Sequence, residues 1–161
     1  MSCNNYKPHL HIYSEDGATR DAAEGFMQFF SGRDTRQFQS FTASGYSSVR
    51  QMLEVDAKLA NFSNRRIVCV IDFDNTPERF DELKNCVAIE VRDRVYVVGC
   101  AEEIETAKRM LNFQGHDDDF GRRLASQNES DWNAPCLRAS KTEMQRLLKD
   151  LRSNEIKICP P

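Results

Sequence analysis

The segment "RIVCVIDFDNTPERF" (Arg66 to Phe80) constrains the fold more than any other part of the chain. Ile67 to Ile71 is an uninterrupted apolar run, short for a helix, that stops at Asp72. Such a run without polar alternation is the pattern of a strand buried on both faces, which arises where helices cover both sides of a parallel sheet. Its carboxyl end is then a rim open to solvent, and in open α/β sheets ligands bind at that rim. Asp72 and Asp74 would lie on the same side of an extended chain there, where chemistry is usually placed.

The flanking sequence supplies the rest of a sheet. "HLHIYSE" (His9 to Glu15) predicts a first strand, and Gly17 breaks it before "ATRDAAEGFMQFF", where Ala22, Ala23, Phe26, Met27 and Phe30 recur at helical spacing. "QFQSFTA" (Gln37 to Ala43) predicts a second strand, and "YSSVRQMLEVDAKLANF" after it a second amphipathic helix with Val49, Met52 and Leu53 inward. Successive β-α-β units imply a parallel sheet with right-handed crossovers. Beyond Thr76 the pattern predicts a short helix "PERFDELKN", two strands "CVAIEV" and "RVYVVG", and a helix "AEEIETAKRMLNF". "GHDDDFGRR" reads as a loop before a short helix "GRRLASQ". The last helix is "SKTEMQRLLKDLRS", with Ser140 and Glu143 as its capping box and Trp132 with "NAPCL" packed against it. The fold class expected is therefore α/β: a mainly parallel sheet flanked by helices, a Rossmann-like three-layer sandwich, with a C-terminal helical extension. One domain would span 1–161, its core at about 9–111 and the extension at about 112–161.

Charge limits the partners. With a net charge of −3 the chain lacks the basic excess that dominates non-specific nucleic-acid affinity, so binding would need a local patch, metal ions or a basic partner. Arg65 with Arg66, Arg92 with Arg94, and Arg122 with Arg123 are the available basic clusters, each equally readable as solvated surface. The six cysteines are scattered without a C-x-x-C pair and the three histidines are too dispersed for zinc, so reduced, buried thiols are expected. No apolar stretch reaches membrane-spanning length and no signal-peptide pattern opens the chain, which predicts a soluble, cytoplasmic protein without a membrane partner. A Gly-rich phosphate loop is also missing, so ATP is not an expected ligand.

Carboxylates recur at three predicted strand ends: Glu15 after the first, Asp72 and Asp74 after the third, and Glu103 with Glu105 beyond Gly99. Hard oxygen ligands of this kind suit Mg²⁺ or Mn²⁺. Neighbouring strands are about 4.8 Å apart, so Glu15 and Asp72 could share an ion. Each cluster also has a plain structural reading. Asp16 or Thr19 could cap a helix, and acids in the first turn of a helix favour its macrodipole.

Taken together, Glu15 close to Gly17, D-x-D at Asp72 and Asp74, and E-x-E at Glu103 and Glu105 resemble the TOPRIM fold shared by topoisomerases, primases and OLD-type nucleases. The resemblance runs over approximately Leu10 to Leu111. The family usually has Glu directly before Gly, whereas Asp16 intervenes here. The resemblance implies that Glu15 is a general acid-base or metal ligand, that Asp72 and Asp74 hold Mg²⁺ or Mn²⁺, and that Glu105 with Glu103 completes a second metal position. It further implies metal-dependent hydrolysis of DNA or RNA, since no tyrosine of a second domain is evident for a covalent intermediate. Small relatives of this kind occur in bacterial anti-phage systems beside an ATPase, often a hexameric translocase, so such a partner is an expectation, and a homo-oligomer is compatible with it.

A rival resemblance is to the first motif of haloacid-dehalogenase-type phosphatases, carried by "VIDFDNT". It implies Asp72 as nucleophile, Asp74 as general acid, Thr76 as phosphate ligand, "HDDD" (His116 to Asp119) as a later metal motif and Lys108 or Lys141 as charge stabiliser. That motif normally lies on the first core strand, whereas two β-α units precede it here. A third reading is a non-catalytic docking subunit, for which Phe29, Phe30 and Phe41 are the exposed-looking aromatics.

Overall fold

The computed structural model describes residues 7–31, 38–126 and 130–153. Cys3, Gln37 and Cys159 lie outside them. The strands β1 (His9–Ser14), β2 (Phe38–Thr42), β3 (Arg65–Asp72) and β4 (Val95–Cys100) form one parallel sheet in the order β2-β1-β3-β4. The helices are α1 (Gly17–Ser31), α2 (Tyr46–Gln51, continued by a π-helical turn over Met52–Asp56), α3 (Glu78–Asn85), α4 (Ile104–Met110), α5 (Asp117–Ser126) and α6 (Lys141–Arg152). No helix among the described residues is long and apolar enough to cross a membrane.

Strand alternation sorts the core into two. Leu10, Ile12, Val68, Tyr96 and Val98 face α1, α5 and α6, joined by Trp132 and Leu137. Tyr13, Ile67, Cys69, Ile71, Val95 and Val97 face the other way onto Val49, Leu53 and Leu83. β3 is thus covered on both sides, as its unalternating sequence requires. Three layers result, with residues of the C-terminal segment built into the first cluster.

Four local expectations are corrected. "CVAIEV" is not a strand: after α3 it passes through a bend at Val87 into a 3₁₀ turn at Ile89–Arg94, with Val87 and Val91 packed inward and Ile89 71% exposed. Val87, Ile89 and Val91 suggest a period of two and would share one face of a strand, but here Ile89 is turned to solvent while Val87, ahead of the turn, and Val91, within it, are packed. "DDDFGRR" is helical, because Asp117, Asp118 and Asp119 form the first turn of α5, where acids are favoured, and Phe120, Gly121, Leu124 and Ala125 are its buried stripe. The second helix ends at Asp56, with Lys58 at a left-handed φ of 47°.

The fourth correction concerns the capping box. Ser140 makes no side-chain cap to α6; its hydroxyl donates to the Gly99 carbonyl and accepts from the Gly99 N–H, at 2.7 and 2.8 Å. The Glu143 carboxylate accepts the Val97 N–H at 3.2 Å and pairs with Lys84 and Arg146, each at 2.8 Å. Lys84 and Arg146 also donate to the Val95 carbonyl. α6 thereby satisfies the outward backbone groups of edge strand β4, which would otherwise invite pairing with another chain.

α1 and α5 cross closely enough that a Cβ at Gly25 would stand 1.9 Å from the Asp118 carbonyl oxygen, and one at Gly121 1.8 Å from that of Ala22. Only glycine admits this approach.

Candidate active site

In a parallel sheet ordered β2-β1-β3-β4, the chain leaves β1 to one side for β2 and returns on its other side as β3. The crevice outside the carboxyl ends of β1 and β3 is the topological switch point at which such sheets bind ligands. Glu15 is the first residue after β1 and Asp72 the last of β3.

Glu15 is fixed from three directions. Its N–H donates to the Val70 carbonyl at 3.0 Å, continuing the ladder, and its carbonyl accepts the Gly45 N–H at 3.0 Å. Its side chain, through Oε2, accepts the Asp72 N–H at 2.9 Å. Asp16 is occupied otherwise: its Oδ1 accepts both the N–H and the hydroxyl of Thr19 at 2.8 Å, and its own N–H donates back to the Thr19 hydroxyl at 3.0 Å. The plain capping role thus falls to Asp16 and leaves Glu15 to Asp72.

Asp72 is the most perturbed acid of the rim. Its Oδ1 is buried and has no hydrogen-bond partner among the described residues. Beneath it lies an apolar cavity of about 70 Å³ whose walls include Ile12, Val70 and Val98. Burial, followed by the neighbouring charges of Asp16, Glu15, Asp74 and Glu103, raises its carboxyl from 3.8 to about 7. Four carboxylates therefore act on this one group.

The connection after β3 does not extend the strand, so the same-side argument for Asp72 and Asp74 fails locally. Asp74 and Asn75 both lie in the left-handed region, at φ 47° and 56°. The Phe73 and Asn75 N–H groups donate to the Cys100 and Ala101 carbonyls, at 2.8 and 2.7 Å. This stitches the rim loop of β3 to that of β4 and brings Glu103, the residue just before α4, within electrostatic reach of Asp72. Glu105 lies two residues further on, in the first turn of α4, and lines a separate groove with Lys108, Arg109 and Phe113. The structure thus joins Glu15 and Asp72 directly, sets Asp74 and Glu103 around them, and assigns Glu105 to the neighbouring groove.

A residue the sequence reading passed over completes the rim. Nη1 of Arg79 donates to the Asp72 carbonyl and to Asp74 Oδ2, each at 2.7 Å. Its guanidinium lies over the Tyr46 ring, 4.6 Å from the centroid, and the Tyr46 hydroxyl donates to Glu82 at 2.7 Å. A signal existed: a cation in the first turn of α3 opposes the helix dipole and so asks for a local partner.

The proposed basic patches are mostly engaged elsewhere. Arg65 is 5% exposed, donates to His9 Nε2 and the Ala57 carbonyl and covers Phe62, so burial withholds it from a nucleic acid. Arg94 is committed to the carbonyls of Leu59, Phe62 and Ser63, and Arg92 to that of Val87. Arg66 lies 4.0 Å from Asp150. These four belong to the amino-terminal ends of β3 and β4, opposite the acidic rim. Arg122 pairs with Asp118 and Asp119, and Arg123 with Asp131.

The groups a phosphatase would need are also engaged: Lys108 with Asp117 at 2.8 Å, Lys141 with the Asn133 side chain at 2.8 Å, and the Thr76 hydroxyl with the Asp74 carbonyl at 3.3 Å. Of the aromatics considered for docking, Phe29 is 46% exposed, whereas Phe30 and Phe41 pack against the two cores. Cys69, Cys86, Cys100 and Cys136 are free thiols.

Among the described residues no group of three or more His, Cys, Asp or Glu stands together as a formed metal cage. The donors at the rim nevertheless fit a hard cation: all are carboxylates, and the buried Oδ1 of Asp72 lacks a donor. Comparison with protein-family models, with curated proteins and with solved structures finds no match.

Proposed function

We infer that the chain is a Mg²⁺- or Mn²⁺-dependent nuclease, hydrolysing phosphodiesters at the rim between β1 and β3. The observation that carries this reading is the Glu15–Asp72 pair at the switch point, with the buried, partnerless Oδ1 of Asp72 surrounded by further carboxylates. A group in this state is poised for a cation, which would replace mutual repulsion by attraction. Glu15 and Asp72 would hold the ion, with Asp74 and Glu103 as the remaining candidates. When bound, it would activate water for attack and neutralise charge on the leaving oxygen. Glu15, anchored by its own backbone on both sides, orients the Asp72 backbone. The apolar cavity wall keeps water from the rear of the carboxylate.

A cytoplasmic setting with reduced thiols agrees with such chemistry. Because the accessible cations are few, an ATPase or translocase partner that holds DNA or RNA is part of the proposal, as is a role in bacterial defence or DNA processing. The test is incubation of labelled single-stranded and duplex DNA, and RNA, with Mn²⁺. Cleavage abolished by EDTA, Glu15→Gln and Asp72→Asn is expected. Hydrolysis of an aryl phosphomonoester with nucleic acid left intact would favour the phosphatase, and inertness toward both, with or without a partner, the docking subunit.

A further inference from the structure

Arg79 is the cation in direct contact with the rim, and only part of it is used. Both hydrogen bonds of its guanidinium among the described residues leave from Nη1, to the Asp72 carbonyl and to Asp74 Oδ2, each at 2.7 Å. Nε and Nη2 have no partner among the described residues, although the side chain is only 20% exposed. Tyr46 supports the guanidinium face at 4.6 Å and is itself held by Glu82 at 2.7 Å. The side chain is therefore fixed at one nitrogen and on one face, with three N–H donors left over. A planar guanidinium offering adjacent N–H groups matches two oxygens of a phosphate, a geometry that lysine cannot reproduce.

We propose that Arg79 is the phosphate-binding residue of the site, its Nε and Nη2 receiving the non-bridging oxygens of a nucleic-acid phosphodiester. The proposal rests on the nuclease reading for the identity of the ligand. The Nη1 contacts hold the receiving edge beside Asp72, and Asp74 fixes its direction. A phosphodiester seated there would lie against the carboxylates that attract the cation, which offsets repulsion between the acidic rim and the substrate. The strained turn at Asp74 and Asn75 has a place in this arrangement: it points the Asp74 carboxylate at Arg79 instead of along the strand.

The experiment measures anisotropy of a short fluorescein-labelled phosphorothioate oligonucleotide, with Mn²⁺ and with EDTA, on wild type, Arg79→Lys and Arg79→Gln. Calorimetric Mn²⁺ binding and thermal unfolding are run on the same samples. Arg79→Lys is expected to weaken oligonucleotide binding about tenfold or more, a bidentate charged contact being lost. Its Mn²⁺ affinity should be unchanged or higher, because a competing cation beside Asp74 is weakened. A merely structural arginine would move stability and Mn²⁺ affinity together with oligonucleotide binding, and that result overturns the proposal. So does unchanged oligonucleotide binding in both variants, or none by wild type in either buffer. Arg79-dependent binding without any Mn²⁺ binding would sustain the phosphate site while removing the metal reading.

Discussion

Replacing Asp72 by Asn removes a charge that the metal-free fold holds against burial and four neighbouring carboxylates, so the variant should be the more stable protein above neutral pH. The folded-state carboxyl is raised from 3.8 to about 7. For an acid raised on folding, the stability it contributes is present below the unfolded value and is lost as pH rises through the interval to about 7. That gap corresponds to about 4 kcal/mol once both forms are ionised. Partial exposure of Asp72 and solvent screening reduce it to about 2 kcal/mol. For a chain of this size the gain is about 4–8 °C in unfolding temperature. The assay is thermal unfolding of both proteins in EDTA from about pH 4 to about pH 8, the window in which the linkage acts. The variant should unfold higher at the alkaline end, and the two should converge toward the acid end. Added Mn²⁺ should then raise wild type alone. An Asp72→Asn protein no more stable than wild type at the alkaline end, or a gap that fails to close on acidification, would refute the reasoning.

Other expectations concern the frame. His11 is 7% exposed, and burial, then the charges of Arg65 and His9, lower its ring to about 4. Its neutral form is favoured in the fold, so stability is full above about 6.5 and falls as pH drops toward about 4, by up to about 3 kcal/mol. His11→Phe should flatten that acid limb in denaturant titrations. Glu143 is 7% exposed; burial works against its charge, but hydrogen bonds from Arg146 and Lys84 prevail and hold its carboxyl below the ordinary range. Glu143→Ala should cost about 3 kcal/mol or more in chemical denaturation, because it strands Lys84 as a half-buried cation and the Val97 N–H as an unpaired donor. A loss within about 0.5 kcal/mol would show that α6 is not what seals β4.

How far the sequence revealed this arrangement depended on the kind of signal. β1, α1 and β3 were legible because burial imposes a period along the chain: the run Ile67 to Ile71 is covered on both faces, and Phe26, Met27 and Phe30 recur as a helix must. α5 was obscured because its first turn is three aspartates and its buried face depends on Gly121, which carries no hydropathic signal. Ser140 and Glu143 carry the local grammar of a cap, but tertiary demand from an edge strand claims both side chains. At the rim, Glu15 and Asp72 could be paired from strand order alone. Asp74 could not be oriented, since two left-handed residues turn it toward Arg79, and nothing in a D-x-D spacing encodes that turn.

The central claim is that Glu15 and Asp72 form one cation site at the end of β1 and β3. It is tested most directly by calorimetric titration of Mn²⁺ into wild type, Glu15→Gln, Asp72→Asn and the double variant. Sharing predicts that each single change removes most of the affinity and that the double change adds little beyond either, a non-additive cycle. Additive, independent losses, full binding retained in Glu15→Gln, or a wild-type chain that takes up no Mn²⁺ would contradict the claim.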